Sequence, residues 1–332
     1  MTTTRPYAKV QIIATSLLLL SMGLFACNGR DHSRTPKLPE KKEQPAPNPE
    51  KKKPTPNPEK EKPAPKFLVR SIGTSPYQGI FITTTYTYDT DKRITSIKLS
   101  SDTPGDPPTE KTFSYSDKVV TIKNYEAPGK LDTQNFFEGV IANDFVFISE
   151  KRHYKDGKKE EWIYDPSSLK TDKKGRIISF DIKDTYSRKG SDGRAKDYEV
   201  YHIDLNRITI TWTEENITAI KVEEGQVGQP LKVLMTLDMK YSKLINHTNI
   251  SFIELTANDG HGYLLTLMNH LPFNVLQPQN LPSEIVRKVH KSSGVDTATF
   301  HLEYTMDKSQ ERPTGFKMVK NNEKPNDFTI GY

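Results

Sequence analysis

Few residues of this sequence stand at spacings that support catalysis. The eight histidines include no His-Glu-x-x-His pair, and a single cysteine, Cys27, excludes a site built from several thiolates. The chain has no Gly-x-Ser-x-Gly elbow and no Gly-Lys-Ser/Thr phosphate loop. Asp259 and His261, with glycines beside them, could do acid–base work, but a turn is the interpretation that we favour. We therefore predict no catalytic residues, no metal site and no cofactor.

Aromatic side chains offer a different chemistry, the stacking of sugars on rings. The chain has two tryptophans and 15 tyrosines. Trp162 and Tyr164 would share one face of a strand in a polar stretch, so we predict both as ligand-binding residues, with Trp162 exposed. Trp212 would share its face with Ile208 and Ile210, which predicts a position in the core.

The N-terminus predicts an anchored protein of the cell envelope. Arg5 and Lys9 precede an apolar run from 12 to 26, the order of charges and apolar residues in a secretory signal. Leu24-Phe25-Ala26-Cys27 resembles a bacterial lipobox, in which the cysteine is acylated after cleavage. A transmembrane anchor is the alternative, although the run is short for a span of about 20 residues. We predict a signal peptide over 1–26 and lipidation, with palmitate, at Cys27.

Residues 27–66 predict a disordered linker. Three units beginning at Pro39, Pro49 and Pro58 repeat proline, lysine and glutamate, with almost no apolar side chain. Such a segment cannot bury enough surface to offset the entropy lost on ordering. The alternative is that its lysines bind an anionic partner such as lipid headgroups. Asn28, directly after the cysteine, favours the outer membrane, and orientation towards the periplasm or the exterior stays open.

The charge distribution argues against a nucleic-acid partner. The sequence pI is about 9.0 and the net charge is +6. Residues 28–66 hold 11 basic and 6 acidic residues, whereas 67–332 hold 35 basic and 36 acidic residues. A nucleic-acid site needs basic residues clustered on a folded surface, and here the surplus lies in the linker. The membrane, reached through the lipid anchor, is the partner that we predict.

Alternating residues predict that 67–332 form one all-β domain. Apolar residues recur at every second position along 208–212, 231–241 and 300–304, the period of strands with one buried face. Polar turns separate such segments into hairpins, and successive hairpins build an antiparallel meander. We predict a large curved sheet or barrel. One or two short helices are expected near 262–290, where 281–290 has helical spacing.

The combination of these motifs resembles a family of Bacteroidota lipoproteins. The lipobox, Tyr86-Thr-Tyr-Asp89, the turn from Asp172 to Ile177, and Asn280-Leu-Pro-Ser-Glu-Ile285 before the Tyr304 hairpin carry the resemblance. That family is described as having a porin-like fold and no known function. The resemblance covers roughly 80–320. It implies a large antiparallel curved or barrel-like sheet and brings no catalytic residues.

The porin-like resemblance raises the question of whether the barrel itself crosses a membrane. Segment 231–241 is long enough for a transmembrane strand, and 328–332 alternate up to an aromatic C-terminus. Charged residues make up 27% of the chain, however, and Lys232 and Lys240 flank the best strand. We therefore predict a soluble barrel or curved sheet on a lipid anchor. Its predicted function is non-enzymatic binding or scaffolding; the alternatives are a carrier of a lipid inside the barrel and a glycan-binding module.

Overall fold

The structure, a computed structural model, describes residues 66–77, 80–142, 145–153, 158–189, 198–250, 252 and 278–332, and omits the side chains of 76, 77, 142, 145, 186–189 and 198–203. The predicted signal peptide, Cys27, all of the linker but its last residue, the Asp259/His261 pair and the predicted helix start at 262 lie outside these residues. In the described ranges, no helix is long and apolar enough to cross a membrane.

Strands make up the described domain. They are β1 Ser71–Tyr77, β2 Ile80–Tyr88, β3 Ile94–Ser101, β4 Thr109–Tyr115, β5 Val119–Ala127, β6 Lys130–Leu131, β7 Asn135–Ala142, β8 Phe145–His153, β9 Lys158–Thr171, β10 Ile177–Lys189, β11 Tyr198–Thr213, β12 Asn216–Gln226, β13 Lys232–Ile245, β14 Asn280–Lys291, β15 Gly294–Met306, β16 Pro313–Lys320 and β17 Asn326–Gly331.

Sixteen of these strands close into one antiparallel barrel. Each strand pairs with the next along the chain, with one exception. Strand β6 has two residues, which pair with the end of β5, and the rest of β5 pairs directly with β7. The ring closes where Ser71 on β1 pairs with Gly331 on β17. A closed ring leaves no strand edge open to another chain. The predicted all-β meander and its barrel form are confirmed.

The alternation of each strand separates an apolar interior from a polar exterior. On β13, Met235 and Leu237 are fully buried, whereas Asp238 and Lys240 are exposed. Inward residues of this kind from strands all round the ring belong to a single apolar core. A charge on a lipid-facing strand position would cost about 2–4 kcal/mol at the middle of a bilayer. An outer face with such charges therefore agrees with a barrel surrounded by water.

Strand β14 corrects the predicted helix at 281–290. Ile285 pairs with Met239 on one side and with Phe300 on the other, as a residue of a central strand does. Leu281, Ile285 and Val289 point inward and are buried. Arg287 occupies the inward position between the last two and is also buried. This charged residue interrupts the period of two, which is why the segment has helical spacing in the sequence.

Aspartate and arginine side chains fix several hairpin turns in the same way. In the β9–β10 turn, Asp172 accepts hydrogen bonds from the Arg176 backbone N–H and side chain. Arg176 then lies 4.8 Å from the ring centre of Trp212, whose indole N–H donates to the Ile177 carbonyl at 2.9 Å. The turns that begin at Asp89 and Asp307 repeat this arrangement with Tyr115 and Tyr332 as the aromatic residues. The sequence motif behind the resemblance is therefore a turn-stabilising device.

Candidate functional site

One end of the barrel interior carries charged side chains, whereas most of the remaining interior is apolar. Strands β3, β12 and β14 terminate at this charged end. The connections that follow them, 102–108, 227–231 and 292–293, therefore lie there as well. Charged side chains enter the interior near this end because they occupy strand positions in phase with core residues. Asp184, for example, follows Phe180 and Ile182 at alternate positions, and both of those are buried.

We call this set of inward-facing groups the charged layer. It consists of Lys111 on β4, Glu150 and Arg152 on β8, Glu160 on β9, Asp184 on β10, Asp204 on β11 and Glu224 on β12. The strand register holds several of them side by side, since directly paired residues point to the same face. Asp184 pairs with Asp204 on one side and with Trp162 on the other, and Trp162 pairs in turn with Glu150.

An ion pair between Arg152 and Glu150 lies at the β8 side of the layer. Arg152 Nε donates to Glu150 Oε1 at 2.7 Å, with side chains 8% and 0% exposed. Burial raises the pKa of Glu150, and the nearby charges of Arg152 and Lys111 act against that rise. The second carboxylate oxygen, Glu150 Oε2, has no hydrogen-bond partner among the described residues. The Arg152 guanidinium also lies 4.7 Å from the Trp162 ring centre.

Asp184 is a second carboxyl of the layer with a raised pKa. Its pKa is raised from the ordinary value of 3.8 to about 7. Burial is the largest cause, and the like charges of Glu160, Asp204 and Glu224 raise the pKa further. The hydrogen bond from the Trp162 side chain acts in the opposite direction. Asp184 therefore keeps its proton to a much higher pH than an ordinary aspartate does.

Among the side chains that the structure describes, the layer has five carboxylates and the two bases Lys111 and Arg152, and Arg287 on β14 is a further buried base at an inward position. Lys111 and Arg152 stand beside Glu150 and act on its titration. In the described part of the chain, no three His, Cys, Asp or Glu residues are arranged to hold a metal ion. The arrangement is suited to binding a ligand through hydrogen bonds and charge.

The chain is similar to a porin-like protein from Bacteroides vulgatus ATCC 8482. The crystal structure of that protein aligns with a TM-score of 0.47 and 14% sequence identity, over 80% of this chain and 98% of that chain. No family model and no curated protein matches the chain. The barrel is therefore established by its own hydrogen-bonded ring, and membership of a lipoprotein family stays a prediction.

The two predicted ligand-binding residues have different surroundings. Trp162 is half-buried and points into the barrel, inside the charged layer, so the expected position on an exposed surface is wrong. Tyr164 does share its face, but it is 3% exposed and stacks on Phe147 with ring centres 3.8 Å apart. Tyr164 is thus a core residue. Trp212 packs against the core, as predicted.

Sequence reasoning missed the charged residues around Trp162. Asp184, Asp204 and Glu224 stand at the inward phase of strands whose other inward residues are apolar, such as Ile208 and Val222. A search for charged residues in phase with an apolar alternation would have found them. Composition alone gives no such signal, because it does not distinguish these residues from the many charged residues of the outer face.

An open groove on the outside of β5, β7 and β8 is a weaker candidate. Its volume is about 260 Å³, and Phe136 and Val119 expose apolar surface there, 45% and 39%. Glu138 and Lys151 add one charge of each sign. Such a lining selects no particular ligand chemistry, so the charged layer is the better candidate.

Proposed function

We propose that this protein is a non-enzymatic binding protein of the cell envelope, held at the outer membrane by lipid on Cys27, whose barrel binds a polar ligand at the charged layer. The observation that carries this proposal is the pairing of Asp184 with Asp204 inside the barrel. Two neighbouring carboxylates that are half-buried repel each other and lose hydration, which costs stability. Natural proteins keep such costly groups mainly where function needs them.

The chemistry of the layer favours a ligand rich in hydroxyl groups. Carboxylates such as Glu160 and Asp204 accept hydrogen bonds, Arg152 and Lys111 donate them, and Trp162 contributes an aromatic surface. Sugars need acceptors, donors and an aromatic contact together. A glycan is therefore the ligand class that we propose.

The packing of the apolar part supports a polar ligand over a lipid carried inside the barrel. Phe180, Leu237 and Phe316 lie on three different sections of the wall, and each is at most 2% exposed. Side chains of the protein thus fill the space that a lipid would need. Co-purification of a lipid with the chain, seen by native mass spectrometry, would favour the carrier alternative.

We expect Trp162→Ala to weaken glycan binding by more than tenfold, because it removes the aromatic contact and the hydrogen bond to Asp184. The measurement is a glycan array followed by calorimetry with the best-bound glycan. Trp212→Phe is the matched control, since Trp212 packs by the Arg176 turn, and it should bind as the wild type does. Equal binding by wild type and Trp162→Ala would contradict the proposed site.

The anchor has its own test. Expressed in a Bacteroidota host, the wild-type chain should incorporate labelled palmitate and sediment with outer membranes. Cys27→Ser should abolish both, because the acyl chains supply the burial of methylenes that holds the protein there. Sedimentation of the serine variant with membranes would show that another segment anchors the protein.

A further inference from the structure

We infer that the barrel interior is a blind pocket, open at the charged end and closed at the other, which binds the end of a glycan chain rather than an internal segment. Access to the interior follows from the geometry alone, whereas the nature of the ligand rests on the proposed function. We call the closed end the aromatic end. The turns 89–93, 172–176 and 307–312 lie there, at the opposite ends of the strands from the charged layer.

Six aromatic side chains pack against the core at the aromatic end. Each donates a hydrogen bond from its hydroxyl or indole N–H, at 2.5–2.9 Å, to a backbone carbonyl near the start of the preceding strand. The six are Tyr88, Tyr115, Trp212, Tyr241, Tyr304 and Tyr332. Buried rings of this kind pack on one side and need a partner for the polar atom on the other. Rings fixed to the wall in this way narrow the opening from several sides.

The segment that follows β13 crosses the narrowed opening. In the ring, β14, β15, β16 and β17 separate β13 from β1 and β2. The Asn249 side chain nevertheless accepts a hydrogen bond from the Val69 N–H at 2.7 Å and donates one to the Tyr88 hydroxyl at 2.8 Å. Ile250 and Phe252, which follow, are 2% and 3% exposed and belong to the core. A buried segment that spans four strands of the ring closes this end.

The exposure of inward residues shows where the interior meets water. Strands β10 and β12 both run from the aromatic end to the charged end. On β12, Ile217, Ile220 and Val222 are at most 1% exposed, and Glu224 is the next inward residue and is partly exposed. On β10 the same change occurs at Asp184, after three buried apolar residues at inward positions. Exposure thus begins at the charged layer, so water reaches the layer through the charged end.

A pocket with one opening selects the part of a glycan that can enter it. Asp184 lies five residues before the end of β10, and Glu224 lies two residues before the end of β12. At about 3.3 Å per residue, these positions are roughly 7–17 Å inside the strand ends. A chain end can extend to this depth, whereas an internal segment would have to bend sharply and leave through the same opening.

Access is tested without a ligand, by acrylamide quenching of Trp162 fluorescence. Trp212→Phe makes Trp162 the only tryptophan, and Cys27→Ser removes the only cysteine. In this background, Gln226→Cys places a thiol in the inward phase at the charged end, and Lys308→Cys places one in an exposed turn of the aromatic end. We expect a long polyethylene glycol maleimide to at least halve the quenching constant in Gln226→Cys and to leave it unchanged in Lys308→Cys.

Each variant is compared before and after modification, so any loosening caused by the substitutions themselves cancels. A lower quenching constant after modification of Lys308→Cys, or an unchanged one after modification of Gln226→Cys, would overturn the blind pocket. Absence of quenching in the unmodified chain would overturn it too, because the layer would then have no opening.

The preference for chain ends is tested with linear and cyclic oligosaccharides of the same linkage and length, such as maltoheptaose and β-cyclodextrin, on the wild-type chain. We expect the linear member of a bound pair to bind at least about tenfold more tightly than its cyclic partner. Equal binding of the two members would overturn the inference about chain ends and leave glycan binding, the proposed function, intact. If no glycan binds, the proposed function fails and the chain-end inference fails with it, whereas the quenching result still decides access.

Discussion

Arg152→Met is expected to lower the free energy of unfolding by about 3 kcal/mol at pH 8, because it removes the hydrogen-bonded counter-charge of the buried Glu150 and leaves only the more distant charge of Lys111. Arg152 is Glu150's hydrogen-bonded partner, at 2.7 Å, and Glu150 is fully buried. Methionine keeps much of the apolar contact with the Trp162 ring, so the change isolates the charge. Urea unfolding followed by circular dichroism measures the loss.

Two comparisons separate this effect from ordinary loss of packing. Since the pKa of Glu150 is raised by burial, the carboxyl takes up a proton more readily as the pH falls, and the loss should shrink at pH 5. The double variant Arg152→Met, Glu150→Gln should recover most of the stability. Lys240→Met breaks the exposed Lys240–Glu284 pair and should cost less than about 1 kcal/mol. An equal loss at both pH values with no recovery would contradict a buried, charged Glu150.

Asp184→Asn is expected to raise the free energy of unfolding by about 2 kcal/mol at pH 8. The rise of the pKa from 3.8 to about 7 corresponds to about 4 kcal/mol for the charged form, and we halve this figure because the side chain keeps some contact with solvent. Asparagine has nearly the same shape and cannot ionise. The variant should therefore be more stable and bind ligand less well.

The pH dependence of the free energy of unfolding tests separately whether Asp184→Asn stabilises the protein. In the folded state Asp184 holds its proton up to about pH 7, whereas the unfolded chain loses it near 3.8. Between these values Asp184 binds more protons in the folded state than in the unfolded chain, so its contribution to wild-type stability falls as the pH rises. The gain from Asp184→Asn should grow from pH 4 to pH 7 and then level off. Asp165→Asn is the control of opposite sign, because hydrogen bonds from Ser167 and Lys183 lower the pKa of Asp165. Parallel stability curves for wild type and Asp184→Asn would contradict a raised pKa.

Local alternation predicted several strands, such as 231–241 and 300–304, but it could not predict how the barrel closes. The hairpins around Asp89 and Asp172 are formed by neighbouring segments, so their turn residues and alternation are visible in a short window of sequence. Closure instead depends on the pairing of Ser71 with Gly331, at opposite ends of the domain. No local pattern distinguishes a closed ring from a curved open sheet.

The wrong helix and the missed site have one physical cause. Arg287 on β14 and Asp184 on β10 are charged residues at inward positions, where the alternation leads one to expect apolar side chains. Such residues weaken the strand signal in the sequence, and the same residues mark places where the interior is not purely apolar. Trp162 could be predicted as unusual because it stands in a polar stretch. Its position inside the barrel could not, since the phase of β9 is set by pairing with β8 and β10.

The most direct test of the central claim, that like-charged carboxylates share the barrel interior, is the titration of the Asp184 carboxyl by carbon-13 NMR. Aspartate labelled at the side-chain carboxyl gives one signal per residue, and the spectrum of Asp184→Asn identifies the signal of Asp184. We expect an apparent pKa of about 7 for this carboxyl. A pKa near 4 would show that Asp184 faces water without like charges around it, and the charged layer could then not be a binding site of the kind proposed.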